Sequence, residues 1–304
     1  MSDMEIIFLG TSSGTPTKKR NVSSVVIRRK SELLLFDVGE GTQRQMIISG
    51  IGLRKNVRIF ISHMHGDHCS GLPSLLQSYS LLGREELLDV YGPKGIIEFA
   101  LTNMRLLCFE PTYPLRIHVI KEGPILETSE YVIKALAVSH FIETYAFCLE
   151  EKQRPGKFNP QKARELGIPI RLWKKLQLGE KVIVNGREID PSLVVSPPRR
   201  GRKVVISSDT KPLEKMIEFA RNADVLIHDS TYSEVHSDKA IRNYHSTAKA
   251  AAMIAKKANV KLLVLTHFSA RYENVDSLVA EARSIFPNVI AAEDFLKIEV
   301  PYPE

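Results

Sequence analysis

The 304-residue sequence lacks the features that mark secreted, membrane or disordered proteins. Its three cysteines, Cys69, Cys108 and Cys148, are odd in number and widely spaced, which argues against a disulfide framework. No run of about 18 apolar residues occurs, and no basic leader precedes the first apolar stretch, so we expect a cytoplasmic protein without a membrane segment. Repeats and low-complexity tracts are also missing. With 43% hydrophobic and 25% charged residues, the composition is that of a globular protein.

The surplus positive charge, +7 overall, is confined to one segment. Residues 151–203 hold 14 of the 42 Lys and Arg residues but only 5 of the 35 Asp and Glu residues. The same segment contains six of the sixteen prolines and interrupts an otherwise regular pattern of strands and helices. A solvated basic surface and a contact with a polyanion both explain such a charge run. We interpret 151–203 as an inserted arm, and 1–150 with 204–304 as one α/β domain.

Apolar periodicity predicts the secondary structure. Strands are expected at 5–9, 22–27, 33–36, 57–61, 88–91, 131–137, 203–207, 225–228 and 262–266. Helices are expected at 72–82, 93–107, 213–222, 247–258 and 275–286, and the arm adds a short helix at 161–166 and a hairpin turning at Asn185-Gly186. Early strands follow one another through turns, whereas later strands alternate with helices. This order predicts an α/β fold of mixed sheets between helical layers.

Side chains that commonly bind metals cluster directly after the strand at 57–61. The four are His63, His65, Asp67 and His68. Imidazole and carboxylate suit Zn²⁺ and similar cations, and four such ligands within six residues can serve two adjacent ions. Three more candidates end strands in the same manner, namely His140, Asp209 and His267. We expect all seven to meet at one sheet edge, where an aspartate can bridge two ions.

These residues occur in a pattern that resembles the metallo-β-lactamase superfamily and, within it, the tRNase Z or ribonuclease Z family. The resemblance spans nearly the whole chain and begins with Phe36-Asp37-Val38-Gly39-Glu40-Gly41. It implies a four-layer αβ/βα sandwich of two mixed sheets, with an inserted exosite arm. It also implies that one zinc is held by His63, His65 and His140, and the other by Asp67, His68 and His267, with Asp209 between them. Asp37 would orient the ligand-bearing loops without binding metal.

Narrower motifs separate tRNase Z from superfamily members that hydrolyse lactams or thioesters. Residues 16–21 resemble the family's PxKxRN loop, 245–247 its HST loop, and 266–272 the segment that carries the last ligand. The basic arm stands where short-form members insert a tRNA-binding exosite, and Arg154-Pro155-Gly156-Lys157 resembles its entry. The resemblance implies substrate contacts from Lys18, Arg20, Asn21, Arg154, Lys157 and Arg271.

One position departs from the family pattern. Many members carry His-Glu-Ala-Thr where this chain has His228-Asp229-Ser230-Thr231. The shorter carboxylate must approach its partner more closely or act through water. Our hypothesis is that His245, supported by Asp229, protonates the departing 3′ oxygen, while Asp67 accepts a proton from the attacking water. The alternative is that His245 is a polar residue flanking a capped helix.

The resemblance implies a zinc-dependent endoribonuclease that removes the 3′ trailer of precursor tRNA and leaves a 3′-hydroxyl on the tRNA and a 5′-phosphate on the trailer. It implies two Zn²⁺ per subunit, with Mn²⁺ as the other candidate, no nucleotide cofactor, and a homodimer in which one arm presents tRNA to the partner's metal site. Two alternatives stay open. A superfamily phosphodiesterase acting on small phosphodiesters would not need the arm, and a non-catalytic RNA-binding protein would be expected to lose metal ligands.

Overall fold

A computed structural model describes residues 3–53 and 56–303. The strands in chain order are β1 Met4–Gly10, β2 Ser12–Ser13, β3 Ser24–Arg29, β4 Glu32–Phe36, β5 Asn56–Phe60, β6 Leu88–Gly92, β7 Leu115–Val119, β8 Gly123–Glu127, β9 Tyr131–Ala137, β10 Tyr145–Glu151, β11 Val182–Val184, β12 Arg187–Ile189, β13 Lys203–Ile206, β14 Val225–Asp229, β15 Leu262–Thr266, β16 Phe268–Ser269, β17 Val289–Ala291 and β18 Lys297–Glu299.

Helices occupy several of the segments between these strands. The α-helices are α1 Thr42–Ile48, α2 Gly66–Cys69, α3 Leu72–Leu81, α4 Ile96–Leu106, α5 Pro160–Glu165, α6 Ile170–Gln177, α7 Glu214–Phe219, α8 Ser237–Arg242, α9 Ala248–Lys257 and α10 Asp276–Arg283, with short 3₁₀ turns at Pro191–Leu193 and Glu234–His236. Across the described ranges, none of these helices is long and apolar enough to cross a membrane.

Two seven-stranded mixed sheets form the centre of the molecule. Their strand orders are β18-β1-β3-β4-β5-β6-β7 and β17-β15-β14-β13-β10-β9-β8. In the first sheet β4, β5, β6 and β7 run parallel, and in the second β13, β14, β15 and β17 do so. The remaining neighbours pair antiparallel. The predicted α/β fold of two mixed sheets is therefore confirmed.

Both faces of each sheet are buried, which explains the continuous apolar runs in the central strands. In β4, Leu34 and Phe36 face the other sheet, whereas Leu33 and Leu35 pack against helices. Between the sheets, the Phe36 ring lies 5.0 Å from Phe60 and 5.5 Å from Phe147. Helices α1, α3 and α4 cover one sheet, and α7, α9 and α10 cover the other. The result is a four-layer sandwich whose parallel strands end at a common edge.

Residues 151–203 form a small substructure with its own apolar cluster. The buried members of this cluster are Ala163, Ile168, Leu176, Val182, Val184 and Val194. The hairpin of β11 and β12 turns at Asn185 and Gly186, which both have positive φ, as a type I′ turn requires. Helix α6 forms in a stretch where the sequence predicted no helix, and Trp173 on it donates to the carbonyl of Ile168 at 3.0 Å.

Candidate metal centre

The site begins where the parallel strands end, in backbone conformations that few residues adopt. Asp37 follows β4 with φ 58°, and His267 follows β15 with φ 61°. Non-glycine residues held in this left-handed region are costly and concentrate at functional sites. Gly39 is needed next to them, because a Cβ there would lie 2.4 Å from the carbonyl oxygen of Asp67. The sequence had predicted a loop for Asp67 and His68. In the structure both residues lie in the one-turn helix α2.

The first donor group consists of three histidines. His65 Nδ1 lies 3.1 Å from His63 Nε2 and 3.2 Å from His140 Nε2. His140 Nδ1 donates to the carbonyl of Tyr244 at 3.1 Å, so its Nε2 carries a lone pair that points at the other two rings. Nitrogen ligands of a tetrahedral Zn²⁺ lie about 3.3 Å from one another, given Zn–N bonds of about 2.0–2.1 Å. The three histidines therefore have the spacing of a metal-ligand set.

The second donor group joins Asp67, His68 and His267. His68 Nε2 lies 3.3 Å from His267 Nε2 and 3.5 Å from Asp67 Oδ2, and the remaining separation is 3.4 Å. Nδ1 of His68 donates to Asp37 Oδ2 at 2.8 Å, and Nδ1 of His267 contacts Thr231 Oγ1 at 2.9 Å. Both rings consequently turn their Nε2 atoms toward each other and toward a carboxylate. Two imidazole nitrogens and a carboxylate oxygen that converge in this way suit a bound cation.

Asp209 connects the two groups. Its Oδ1 lies 3.3 Å from His267 Nε2, and its Oδ2 lies 3.3 Å from His68 Nε2 and 3.7 Å from His63 Nε2. The carboxylate is buried, so it cannot gain stabilisation from bulk water. One carboxylate that offers an oxygen to each of two donor groups is the arrangement expected for two adjacent metal ions.

The pKa values of these residues follow the same logic. Burial, reinforced by neighbouring His68, lowers the pKa of His63 well below its ordinary value and keeps that ring neutral. Burial also lowers the pKa of His68, but Asp209, Asp37 and Asp67 outweigh burial and raise it well above its ordinary value. Three carboxylates around one ring hold a positive charge strongly. The residues present therefore fit two divalent cations.

Asp37 contacts the second donor group from outside it through His68. Besides His68, it accepts hydrogen bonds from the amide of Ser62 at 2.7 Å and from its hydroxyl at 2.9 Å. The Ser62 hydroxyl also lies 2.9 Å from His63 Nδ1. Ser62 thus links the two donor groups, a role the sequence did not predict, since only its position before the histidine motif could have indicated it.

His245 stands between the two donor groups. Its ring lies 5.2 Å from the ring of His140 and 5.2 Å from that of His267, and its side chain is 12% exposed. Nδ1 lies 2.9 Å from Asp229 Oδ2, so the shorter carboxylate reaches its partner directly and no bridging water is needed. Thr247 caps α9, accepting from the amide of Ala250, as the helix-flanking alternative had it, but that alternative gives no account of the contact between His245 and Asp229.

Two of the six residues predicted to contact the substrate form hydrogen bonds that fix the loop in which they lie. Arg20 Nη1 donates at 2.7 Å both to Thr11 Oγ1 and to the carbonyl of Ala292. Asn21 Nδ2 donates to the carbonyl of Glu40 at 2.8 Å. Lys18 is exposed on the same loop. Of the three, Lys18 is the side chain best placed to meet a substrate.

The other three predicted contacts differ in their surroundings. Arg154 lies under Tyr302, with its Cζ 3.5 Å from the ring centroid, so it is used at the base of the arm. Lys157 is exposed on the arm. Arg271 is exposed at the end of β16, where its guanidinium lies 5.0 Å from the Tyr232 ring centroid. Lys157 and Arg271 are therefore accessible, whereas Arg154 is half-buried against Tyr302.

Known proteins are similar to this chain over nearly its whole length. It is 46% identical to "Ribonuclease Z" of Methanosarcina mazei over 301 residues, covering 98% of this chain and 99% of the relative. It is 43% identical to "Ribonuclease Z" of Bacillus subtilis with the same two coverages. The chain belongs to the ribonuclease Z family. As a ribonuclease Z family member, it is an enzyme of the metal-dependent hydrolase type that the donor groups fit.

Solved structures and shorter family matches agree with this assignment. Human tRNase Z, short form, superposes with a TM-score of 0.72 at 28% identity, covering 98% of this chain and all of the human one. The metallo-β-lactamase fold protein YhfI of Bacillus subtilis superposes with a TM-score of 0.70 at 20% identity. Residues 186–268 match the beta-lactamase superfamily domain, and residues 4–98 match the family of the anti-Pycsar protein Apyc1. The metallo-β-lactamase fold is thus shared with ribonuclease Z proteins.

Proposed function

We propose that this chain is a zinc-dependent endonuclease that cuts precursor tRNA on its 3′ side, in the cytoplasm, and removes the trailer. The observation that carries the proposal is Asp209, which faces His267 of the second donor group through Oδ1 and His63 of the first through Oδ2, with His245 beside them. His63, His65 and His140 would hold one Zn²⁺, and Asp67, His68 and His267 the other. Family membership adds RNA as the substrate class.

Two bound cations would make a water molecule nucleophilic near neutral pH and offset the charge that builds on the phosphoryl oxygens. The residues of the chain do the remaining work. Burial lowers the pKa of His245, but the adjacent Asp229 outweighs burial and raises it to about 9, so the ring holds a proton at neutral pH. With Nδ1 bound to Asp229, Nε2 is the nitrogen that can donate to the departing 3′ oxygen. The tRNA then ends in a 3′-hydroxyl and the trailer keeps the 5′-phosphate.

Asp67 has a different part in this proposal. Its Oδ2 accepts from the amide of Gly14 at 2.8 Å. Burial raises the pKa of Asp67, but His68 and His267 outweigh burial and lower it. A carboxylate with a lowered pKa is a weak base. Asp67 therefore orients the attacking water as a hydrogen-bond acceptor and takes its proton only as the new bond forms.

The arm supplies the contact with the body of the tRNA. Helix α6 is amphipathic, with Leu176 buried in the arm's cluster and Arg171, Lys174 and Lys175 exposed three and four residues apart on one face. Other exposed basic residues of the arm include Lys157, Lys162, Arg164 and Arg187. Ammonium and guanidinium groups that neutralise phosphates bind RNA by charge and shape, without reading bases.

A homodimer completes the proposal, because an arm that leaves its own domain can present tRNA to a partner's site. Helices α1, α3 and α4 share one side of the first sheet and expose apolar side chains there. Leu81 is 80% exposed and Leu106 is 69% exposed, and Ile47 and Leu101 are also exposed. A second copy of the chain packing on this surface would bury them. Sedimentation equilibrium should give twice the chain mass, and a Leu81→Glu variant should shift it toward the single-chain mass.

The decisive experiment incubates the protein with one end-labelled precursor tRNA, with and without a chelator, and maps the cut. We expect one cut at the 3′ side, lost with the chelator and restored by Zn²⁺ or Mn²⁺. Cleavage of methyl p-nitrophenyl phosphate without cleavage of the precursor would instead favour a small-phosphodiester enzyme. Binding of the precursor without cleavage of either substrate would favour a non-catalytic RNA-binding protein.

The arm is tested by two matched double variants. Lys174→Glu with Lys175→Glu changes two exposed lysines in the last turn of α6, and Lys256→Glu with Lys257→Glu makes the same change in the last turn of α9. The α6 pair should raise KM for precursor tRNA and lower the slope of log affinity against log salt by about one per lost phosphate contact. The α9 pair should change neither quantity. Equal effects of both pairs would refute a specific role for the arm.

A further inference from the structure

An exposed aromatic pair lies at the rim of the metal centre and takes no part in the chemistry described above. Phe141 is 60% exposed, and its ring centroid lies 4.5 Å from that of Tyr244. The ammonium group of Lys211 lies 3.6 Å from the centroid of the Tyr244 ring. Single exposed apolar residues are common on protein surfaces. Two adjacent rings with a cation on one of them form a more specific surface.

Each of these three residues is a near neighbour in sequence of a residue at the site. Phe141 directly follows His140, Lys211 comes two residues after Asp209, and Tyr244 directly precedes His245. The rings of Phe141 and His140 lie 5.7 Å apart. The aromatic pair is therefore held at a fixed distance from the place where the scissile phosphate would lie.

Backbone contacts join the loops that carry the pair. The amide of Lys211 donates to the carbonyl of Ser139 at 3.0 Å, and the carbonyl of Tyr244 accepts from His140 Nδ1 at 3.1 Å. Tyr244 adopts φ 58°, a left-handed conformation that is costly for a bulky aromatic residue. The surrounding contacts stabilise this conformation, and it places the Tyr244 ring between Phe141 and Lys211.

The charge around the pair suits a nucleotide. Lys211 provides a cation next to the rings, while the nearest carboxylate in sequence, Glu143, is engaged elsewhere, accepting from the hydroxyl of Tyr145 at 2.8 Å and from the amide of Lys94 at 3.2 Å. Nucleobases stack on aromatic side chains, and lysine contributes a contact with the adjoining phosphate. An uncharged aromatic or aliphatic ligand would gain nothing from the lysine.

We propose that Phe141 and Tyr244, with Lys211, form a stacking site for the base of the nucleotide whose 3′ oxygen departs, the last nucleotide of the product tRNA. The side is fixed by His245, which protonates that oxygen and directly follows Tyr244. Stacking tolerates any base, so the site demands an unpaired nucleotide rather than a particular sequence. This inference rests on the proposed function, and it adds a requirement for single-stranded RNA at the cut.

The test combines a change in the protein with a change in the RNA. One precursor tRNA is prepared intact, with an abasic nucleotide just before the cut, and with an abasic nucleotide just after it. For the unaltered protein, the abasic nucleotide before the cut should lower kcat/KM by about fivefold to 100-fold, the range for loss of one stacked base. The abasic nucleotide after the cut should lower it by less than about twofold.

The variants identify the protein partner of that base. Phe141→Ala should lower kcat/KM for the intact precursor, and the abasic nucleotide before the cut should then have no further effect. Phe141→Trp keeps a stacking surface and should retain the sensitivity to the missing base. Ile142→Ala removes the neighbouring exposed side chain, which has no ring, and should behave like the unaltered protein. The proposal would be overturned if the Phe141→Ala change lowered kcat/KM by the same factor for the intact and the abasic precursor, each compared with the unaltered protein.

The two proposals fail in different ways. If the unaltered protein does not cut the precursor, the proposed function fails whatever the variants do. The stacking site is then judged by fluorescence anisotropy with the same three RNAs, where Phe141→Ala must again abolish the difference between intact and abasic RNA. No difference between those RNAs in either assay would refute the stacking site alone.

Discussion

Replacing Asp229 by asparagine tests how His245 is supported. The buried carboxylate accepts five hydrogen bonds, two of them from Thr231 and the others from the amide of Thr210, the amide of Ser246 and His245 Nδ1. An asparagine keeps its oxygen toward His245, where three donors meet, and turns its NH₂ group toward the Thr231 amide. That opposition of two donors should cost about 1–3 kcal/mol in the free energy of unfolding. The midpoint temperature of thermal unfolding should fall by about 2–4 °C for each kcal/mol lost.

The kinetic effect has a separate physical cause. A neutral amide no longer stabilises positive charge on the His245 ring, and hydrogen bonds to charged groups contribute about 1.5–3 kcal/mol. Turnover of precursor tRNA should fall about tenfold to 100-fold in the Asp229→Asn protein. His245→Ala removes the proton donor itself and should lower turnover by about 10²–10⁴-fold.

The double variant shows whether Asp229 acts by supporting His245 or has an independent role in cleavage. If Asp229 acts through His245, then Asp229→Asn should have no further effect on turnover in the His245→Ala background. The assay is single-turnover cleavage of one labelled precursor, with zinc content measured on each protein. Multiplicative losses in the double variant, or loss of zinc from the Asp229→Asn protein, would refute this account of the pair.

Three further predictions concern a contact beside the metal centre and two contacts near the base of the arm. Asp37→Ala removes the partner of His68 and should weaken metal binding about tenfold to 100-fold, measured by competition with a chelator. Burial raises the pKa of Glu151, but hydrogen bonds from Arg202 and Arg29 outweigh it and lower the pKa below 4.5. Its stabilisation is thus full above about pH 4.5 and lost as pH falls through the lower value, so Glu151→Gln should flatten the acid side of the stability curve. Tyr302→Ala removes a ring placed against two guanidinium groups and should cost about 1–2 kcal/mol in denaturant unfolding, whereas Tyr302→Phe should cost less.

Most strands that are buried on both faces were predicted from the sequence, but the buried central strand β10 was missed. The bounds predicted for β9 and β15 match the structure, because apolar periodicity and flanking polar residues mark both ends. The edge strands β7 and β8 were missed, since their residues are only half-buried and lack a clear alternation. Helix α6 was missed because the proline and glycine content around it favoured a loop.

The candidate ligands could be predicted to lie together because each follows the end of a strand, Asp67 and His68 by way of α2, and the strand order brings those ends together. The contacts that orient these side chains could not be predicted. The carbonyl of Tyr244 holds His140, but a backbone acceptor leaves no trace in the residue type. Arg154 was expected to contact RNA, yet it stacks on Tyr302, which lies 148 positions further along the chain. Pairings across such a distance depend on the tertiary fold rather than on local pattern.

The most direct test of the two-metal account is a titration of metal-free protein with Zn²⁺ while cleavage of one precursor tRNA is followed. The account predicts that cleavage reaches its full rate at two equivalents per chain, since Asp209 faces His63 of one donor group and His267 of the other. The products should end in a 3′-hydroxyl on the tRNA and a 5′-phosphate on the trailer. Full cleavage at one equivalent, or cleavage that persists without metal, would contradict it.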